Sequence, residues 1–276
     1  ASGQINSLDM GLSGMMTIVL MSLLIAQRDE AAPAERRNWM LLCWAGMALA
    51  VLAKGLIGVV LPGAVLVLYS LCARDWRIWT RLHLVKGLLV FFAIATPWFV
   101  LVALRNPEQP HFFFIHEHFQ RFLMKGHKRE GAWYYFLVLL IPGILPWIGV
   151  LPQSLAAAFK RQEGAFQPRL MVLIWALFIT FFFSYSTSKL PGYIVPIFPA
   201  LALLIALFLE SASRRQRLFA AGLLCVLGAA ILIGGPIAFG KASARDPAEL
   251  IALKGYQPWL MAAGFFALAG GALALL

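Results

Sequence analysis

The sequence has few charged residues for its length. Only 13% of the 276 residues are Asp, Glu, Lys or Arg, whereas 61% are apolar. A single water-soluble domain of this size needs more polar side chains to cover its surface. The excess of apolar residues also excludes an intrinsically disordered chain. The class that remains is a polytopic membrane protein.

Cysteine is scarce as well. Cys43, Cys72 and Cys225 lie within or at the ends of apolar runs, and no C-x-x-C pair is present. This excludes a disulfide-rich secreted scaffold, and we interpret the three as small core residues. The sequence also lacks an initiator Met and a signal-like leader, and it stops inside an apolar run. We therefore expect it to be a piece of a longer protein.

Long apolar runs fill most of the sequence. A membrane-spanning helix needs about 20 apolar residues, and Lys54-Gly55 divides one overlong run into a helical hairpin. The fold class that this pattern predicts is all-α: a polytopic transmembrane helical bundle of about nine spans. The nine candidate spans are 11–26, 39–53, 55–72, 84–104, 133–159, 170–185, 194–209, 218–239 and 259–276.

The net charge of +11 comes from basic residues in the connectors between these runs. It indicates positive-inside anchoring and contact with anionic membrane lipids, and no nucleic-acid partner is expected. The short, uniformly basic connectors around residues 28–37, 74–86, 160–169 and 214–217 are predicted to be cytoplasmic. The opposite connectors, including Lys54, residues 105–131 and residues 188–193, then face outward, into a periplasm in a Gram-negative source.

The outer connector 105–131 contains an amphipathic pattern. At 100° per residue, one arc holds apolar side chains, Arg121 lies opposite, and His116 lies at the boundary. This predicts a helix lying in the membrane interface. Glu117 and Arg121 could instead be a plain surface pair four residues apart. His116 and His118 are too close in sequence for a strong metal motif, although one of them could bind a metal with an acid from elsewhere.

Four more polar residues are predicted to lie on the outer side. Asp9 precedes the first span, Lys54 ends a helix, and Lys189 and Tyr193 flank the Pro191-Gly192 turn. Asp9 could be a helix N-cap, the lysines could snorkel, and Tyr193 could belong to an aromatic belt. Together with Arg121, however, they have the placement needed to bind a phosphate at a lipid surface.

Five motifs carry a resemblance to a known family. At these motifs the chain resembles the bacterial ArnT-like branch of the protein-mannosyltransferase superfamily, the GT-C lipid-linked sugar transferases, and the resemblance covers nearly the whole chain. The motifs are Asn6–Asp9, Leu52–Gly55 with Leu61-Pro62, Ala95–Trp98, Glu117–Phe122 with Trp133–Tyr135, and Ser188–Tyr193.

The resemblance implies an integral-membrane glycosyltransferase. Such an enzyme takes a sugar from undecaprenyl phosphate and transfers it outside the cytoplasm, here most simply 4-amino-4-deoxy-L-arabinose to a lipid A phosphate. It implies the bacterial inner membrane, with the active site facing the periplasm. It also implies that residues 1–276 are the C-terminal part of a GT-C transmembrane domain. Further spans with a first catalytic loop would precede them, and a soluble domain could follow.

The resemblance also assigns roles to single residues. Arg121 and Tyr193 are expected to bind the carrier phosphate, with Lys54 as a further cation there. Asp9 and Lys54 are expected to be catalytic residues, with Asp9 as a supporting carboxylate. His116 is expected to help hold a divalent metal of unknown identity. Three alternatives remain open: a lipid or sugar-lipid flippase, a structural membrane subunit, and a transferase with a protein or glycan acceptor. Ion-coupled transport is disfavoured, because all 12 acids lie in connectors or at span ends.

Overall fold

A computed structural model describes residues 8–108, 131–145, 147–186, 188–241 and 254–275, and helices dominate these ranges. The helical bundle expected from the apolar runs is confirmed. The helices are α1 Leu8–Gln27, α2 Pro33–Lys54, α3 Ile57–Ala73, α4 Arg77–Thr80, α5 Leu84–Arg105, α6 Tyr135–Ile144, α7 Leu151–Ala158, α8 Pro168–Tyr185, α9 Phe198–Ser211, α10 Arg214–Lys241 and α11 Gln257–Leu275. Two 3-10 segments, Trp147–Gly149 and Pro191–Ile197, complete this part of the chain.

The number of clear spans is smaller than expected. Within the described ranges, six helical segments are long and apolar enough to cross a membrane, against the nine predicted. α3 has only 17 residues, and α2 begins with a polar turn that contains Glu35, Arg36 and Arg37. The six segments are Leu8–Gln27, Leu84–Arg105, Pro168–Tyr185, Pro191–Ser211, Arg214–Gly240 and Gln257–Leu275.

The predicted span 133–159 is not one helix. It is divided into α6, the short 3-10 segment Trp147–Gly149, and α7. The sequence contains Pro142, Pro146 and Pro152 in this run. Proline lacks a backbone N–H and is tolerated best in the first turn of a helix. Pro152 lies in the first turn of α7, so the sequence does carry a signal for the interruption.

The predicted break at Lys54-Gly55 is confirmed. α2 ends at Lys54, and the N–H of Gly55 donates a hydrogen bond to the carbonyl of Val51 at 2.7 Å. Gly55 has a φ of 87°, a conformation that residues with a Cβ rarely adopt. The chain therefore reverses within three residues, and Lys54 lies at the tip of the α2–α3 hairpin.

The first of two compact units contains the described parts of residues 8–140 and 158–204. α1 packs along α2, α2 contacts α3 and α5, and α8 packs on α3. Met16, Tyr69 and Trp175 are fully buried between these helices. Large buried side chains at helix crossings stabilise such a bundle through close packing.

Asp29, in the α1–α2 connector, joins several connectors at one end of this unit through hydrogen bonds. Its carboxylate accepts hydrogen bonds from the backbone N–H groups of Ala165 at 2.8 Å and Phe166 at 3.0 Å, and from Arg81 at 3.2 Å. The bond from the Phe166 N–H contributes most to a lowered pKa of the Asp29 carboxyl. Three connectors predicted to be cytoplasmic thus meet at one carboxylate.

The second unit contains the described parts of residues 141–157 and 205–276. Its main contact is between α10 and α11. A Cβ placed on Gly228 would lie 2.7 Å from the carbonyl oxygen of Gly264. Only glycine permits so close a backbone approach, as is common between membrane helices.

The three cysteines are free thiols. Cys43 is buried in α2, and Cys225 is half-buried beside α11. Cys72 is exposed near the end of α3. The interpretation as a small core residue therefore suits Cys43 and is wrong for Cys72.

Candidate functional site

Two of the predicted site residues form an ion pair. The ammonium of Lys54, at the end of α2, donates a hydrogen bond to Oδ1 of Asp9, in the first turn of α1. The two side chains are only 22% and 18% exposed. Partial burial strengthens the attraction relative to that of a fully exposed pair. The pairing explains both residues more fully than a lone N-cap and a snorkelling lysine would.

Tyr193 joins this pair from a third element. The 3-10 segment Pro191–Ile197 brings its ring to 4.3 Å from the Lys54 Nζ, measured to the ring centroid. A cation over an aromatic face is stabilised by about 0.5–2 kcal/mol. Tyr193 is half-buried, and no protein group among the described residues forms a hydrogen bond with its hydroxyl. Asp9, Lys54 and Tyr193 are thus brought together.

Gly192 makes the approach of Asp9 possible. A Cβ on Gly192 would lie 2.7 Å from Cγ and 2.9 Å from Cβ of Asp9, well inside normal carbon–carbon contact of about 3.5–4.0 Å. The sequence indicates a Pro-Gly turn here. It does not reveal that the glycine also makes room for a carboxylate from α1.

Lys189 is placed differently from the other predicted outer residues. It is only 7% exposed, and its ammonium donates hydrogen bonds to the carbonyls of Ser184 and Ser186, each at 2.8 Å. Burial lowers the pKa of Lys189. The snorkelling interpretation is therefore wrong for this residue, because its charge points into the protein.

Two phenylalanines support Tyr193. The Phe183 ring lies 5.1 Å from the Tyr193 ring, and the Phe136 ring lies 6.2 Å from Phe183, between centroids. Phe136 is fully buried. Ring contacts of this kind fix orientation as well as contributing packing energy. Sequence reasoning missed both residues, because Phe is too common in the apolar runs to mark a site.

Arg121 and His116 lie outside the described residues, as does the interfacial helix predicted around them. The carrier-phosphate role of Arg121 and the metal role of His116 therefore stay predictions. In the part of the chain that is described, no group of three or more His, Cys, Asp or Glu side chains could hold a metal ion.

The sequence is similar to curated arabinosyl transferases, although no family model matches it. The undecaprenyl phosphate-α-4-amino-4-deoxy-L-arabinose arabinosyl transferase of Erwinia tasmaniensis is 33% identical over 208 residues, which are 71% of this chain and 35% of that protein. The protein of the same name from Pseudomonas aeruginosa is 36% identical over 183 residues, covering 64% of this chain and 32% of the relative. The chain thus spans about a third of these relatives' length.

The fold is similar to two crystal structures of ArnT from Cupriavidus metallidurans. The structure bound to undecaprenyl phosphate has a TM-score of 0.86 and 43% identity, with 98% of this chain and 48% of that chain covered. The apo structure gives a TM-score of 0.84 with the same identity and coverage. Sequence and fold agree over nearly all of the chain. The chain therefore belongs to the ArnT-like branch of the GT-C lipid-linked glycosyltransferases.

Proposed function

We propose that the protein transfers 4-amino-4-deoxy-L-arabinose from undecaprenyl phosphate to a lipid A phosphate at the periplasmic face of the bacterial inner membrane. The observation that carries this proposal is the similarity, over 98% of the chain, to a structure bound to undecaprenyl phosphate. The cluster of Asp9, Lys54 and Tyr193 supports it. The proposal applies to the full-length protein, because this chain spans only 48% of the matched structure.

The chemistry requires stabilisation of a departing phosphate. An anionic acceptor oxygen attacks the anomeric carbon of the sugar, the bond from that carbon to the carrier phosphate oxygen breaks, and its electrons remain on undecaprenyl phosphate. Negative charge therefore grows on the carrier as the reaction proceeds. Donors aimed at that charge lower the barrier, and each contributes about 3–4 kcal/mol. The Tyr193 hydroxyl is suited to be one such donor.

Lys54 has a more indirect part in this scheme than the motif suggests. Its charge is already balanced by Asp9, so the pair adds little net positive charge to the site. In this proposal Lys54 sets the position of the Tyr193 ring, while Arg121 supplies the main cation for the carrier phosphate. A phosphate acceptor needs no general base, whereas a hydroxyl acceptor does, with Asp9 as the candidate.

The test is the lipid A of a Gram-negative host whose own arabinosyl transferase has been deleted. Expression of the protein is expected to add aminoarabinose to lipid A, measured by mass spectrometry. Tyr193→Phe removes one hydroxyl and is expected to lower the transfer rate roughly a hundredfold. Tyr256→Phe is the matched control, because Tyr256 is exposed on the second unit and its hydroxyl has no role in the proposal.

Two other results would contradict the proposal in different ways. Unmodified lipid A together with labelled sugar on a protein or glycan would identify a different acceptor. Movement of a labelled sugar-lipid across vesicle membranes, with no transfer product, would identify a flippase.

A further inference from the structure

Lys189 is a buried cation without an acidic partner in the described parts of the chain. Its three hydrogen bonds all go to main-chain carbonyls at the end of α8: Phe183 at 3.4 Å, and Ser184 and Ser186 at 2.8 Å each. The last carbonyls of a helix have no intrahelical partner and carry partial negative charge. Lys189 therefore caps α8 from a position beyond its end.

The Lys189 side chain also contacts Gly131 and Phe136. Its Cδ lies close to Gly131, where an added Cβ would be 3.1 Å away. Its ammonium is also 5.6 Å from the centroid of the Phe136 ring in α6. One side chain thus joins the end of α8, the start of α6 and the end of the outer connector 105–131.

This arrangement lies directly behind Tyr193. The carbonyl of Phe183 accepts a hydrogen bond from Lys189, and the Phe183 ring packs against Tyr193 in a tilted arrangement, with centroids 5.1 Å apart and an angle of 34° between the planes. Only three residues separate Lys189 from Tyr193, and the N–H of Tyr193 donates to the carbonyl of Leu190 at 3.0 Å. Fixing Lys189 therefore fixes both the start of the turn and the ring behind the phenol.

We propose that Lys189 is a positioning residue for Tyr193: by binding the α8 carbonyls it sets the orientation in which the Tyr193 hydroxyl meets the carrier phosphate. Lys189 itself does not touch substrate. The inference rests on the proposed function for its effect on activity, but the positioning can be measured without activity. Burying a charged group is costly unless it is hydrogen-bonded, and a snorkelling lysine would avoid that cost.

The activity test is a double-mutant cycle in the complete protein. Lys189→Met keeps the length of the stem and removes the ammonium. It is expected to lower kcat by about 10- to 100-fold, with KM for the sugar-lipid nearly unchanged, because a displaced donor is lost mainly in the transition state. In a Tyr193→Phe background the same change is expected to cost less than about threefold, because the hydroxyl it positions is absent. Equal losses in both backgrounds, or none in either, would overturn the inference.

A second readout separates this inference from the proposed function. Fluorotyrosine is incorporated, and the Tyr193 signal in the fluorine NMR spectrum is identified by its absence in Tyr193→Phe. Lys189→Met is expected to shift or broaden that signal and leave the Tyr256 signal unchanged. An unchanged Tyr193 signal refutes the positioning role even in a preparation that transfers no sugar. If Lys189→Met shifts the Tyr193 signal as expected but the wild-type protein has no transferase activity, only the proposed function fails.

A conservative variant covers the case in which Lys189→Met does not fold. Lys189→Arg retains a cation and hydrogen-bond donors at the α8 carbonyls. It is expected to keep kcat within about tenfold of wild type and to keep the Tyr193 signal. A tenfold or greater loss with an undisturbed Tyr193 signal would show that Lys189 acts by another route, and the inference would be wrong.

Discussion

Gly192→Ala is the most direct test of how the site is assembled. The added methyl carbon would lie 2.7 Å from Cγ and 2.9 Å from Cβ of Asp9, roughly 1 Å inside van der Waals contact. A rotamer change cannot relieve the contact with Cβ, so α1 or the Pro191–Ile197 turn must move. Overpacking of this kind costs about 1–3 kcal/mol of stability. A shift of about 1 Å at a catalytic group costs roughly a hundredfold in rate.

The assay measures aminoarabinose transfer to lipid A and the Tm in detergent side by side. The expected result for Gly192→Ala is a small decrease in Tm and a large decrease in rate. Gly63→Ala in α3 is the matched control, because a Cβ there meets nothing within 4 Å, and its rate is expected to remain unchanged. Wild-type transfer by Gly192→Ala, or an equal loss in Gly63→Ala, would refute the reasoning.

Two further predictions concern stability. Asp29→Asn removes a carboxylate whose pKa in the folded protein lies below its ordinary value of 3.8. The contribution of Asp29 to stability is therefore fully present above pH 3.8 and is lost as the pH falls through the lower, folded-state pKa. Near pH 7 the free energy of unfolding of the mutant is expected to be about 1.5–3 kcal/mol below that of the wild type, which thermal melts detect as a lower Tm. The difference in stability should shrink below about pH 3.8. A difference that does not change with pH would contradict this prediction. Trp175→Phe removes a buried N–H that donates to the Pro196 carbonyl at 3.2 Å, which should lower the free energy of unfolding by about 1–3 kcal/mol. The control is Trp259→Phe, which should leave the Tm unchanged because Trp259 is exposed. Equal Tm values for the two variants would show that the Trp175 hydrogen bond contributes nothing to stability.

The sequence predicts that Asp9 and Lys54 share one face of the membrane, because connectors alternate in charge and the chain must cross the bilayer between them. Lys54 and Asp9 were both expected on the outer side, and they are in contact. Their pairing with each other could not be predicted, because the rotation of α1 against α2 depends on packing between whole helix surfaces. The sequence therefore assigns Lys54 to the carrier phosphate without its carboxylate partner, and that phosphate role stays a prediction.

Lys189 shows the limit of reasoning from polarity alone. A lysine beside a Pro-Gly turn at a membrane surface usually extends towards water, and nothing in the local sequence distinguishes one that turns inward. The deciding partners are main-chain carbonyls at the end of α8, which every helix possesses. Only the three-dimensional course of residues 188–192 brings the ammonium to them.

The bonds at Asp29 also bear on the order in which the protein is completed during synthesis. Asp29 and Ala165 are 136 residues apart, and at usual ribosomal speeds this stretch takes on the order of ten seconds to emerge. Until then the Asp29 carboxylate lacks the two backbone donors that it binds in the folded protein. A nascent chain that stops before residue 165 would lack both of these bonds, which join the α1–α2 connector to the connector before α8.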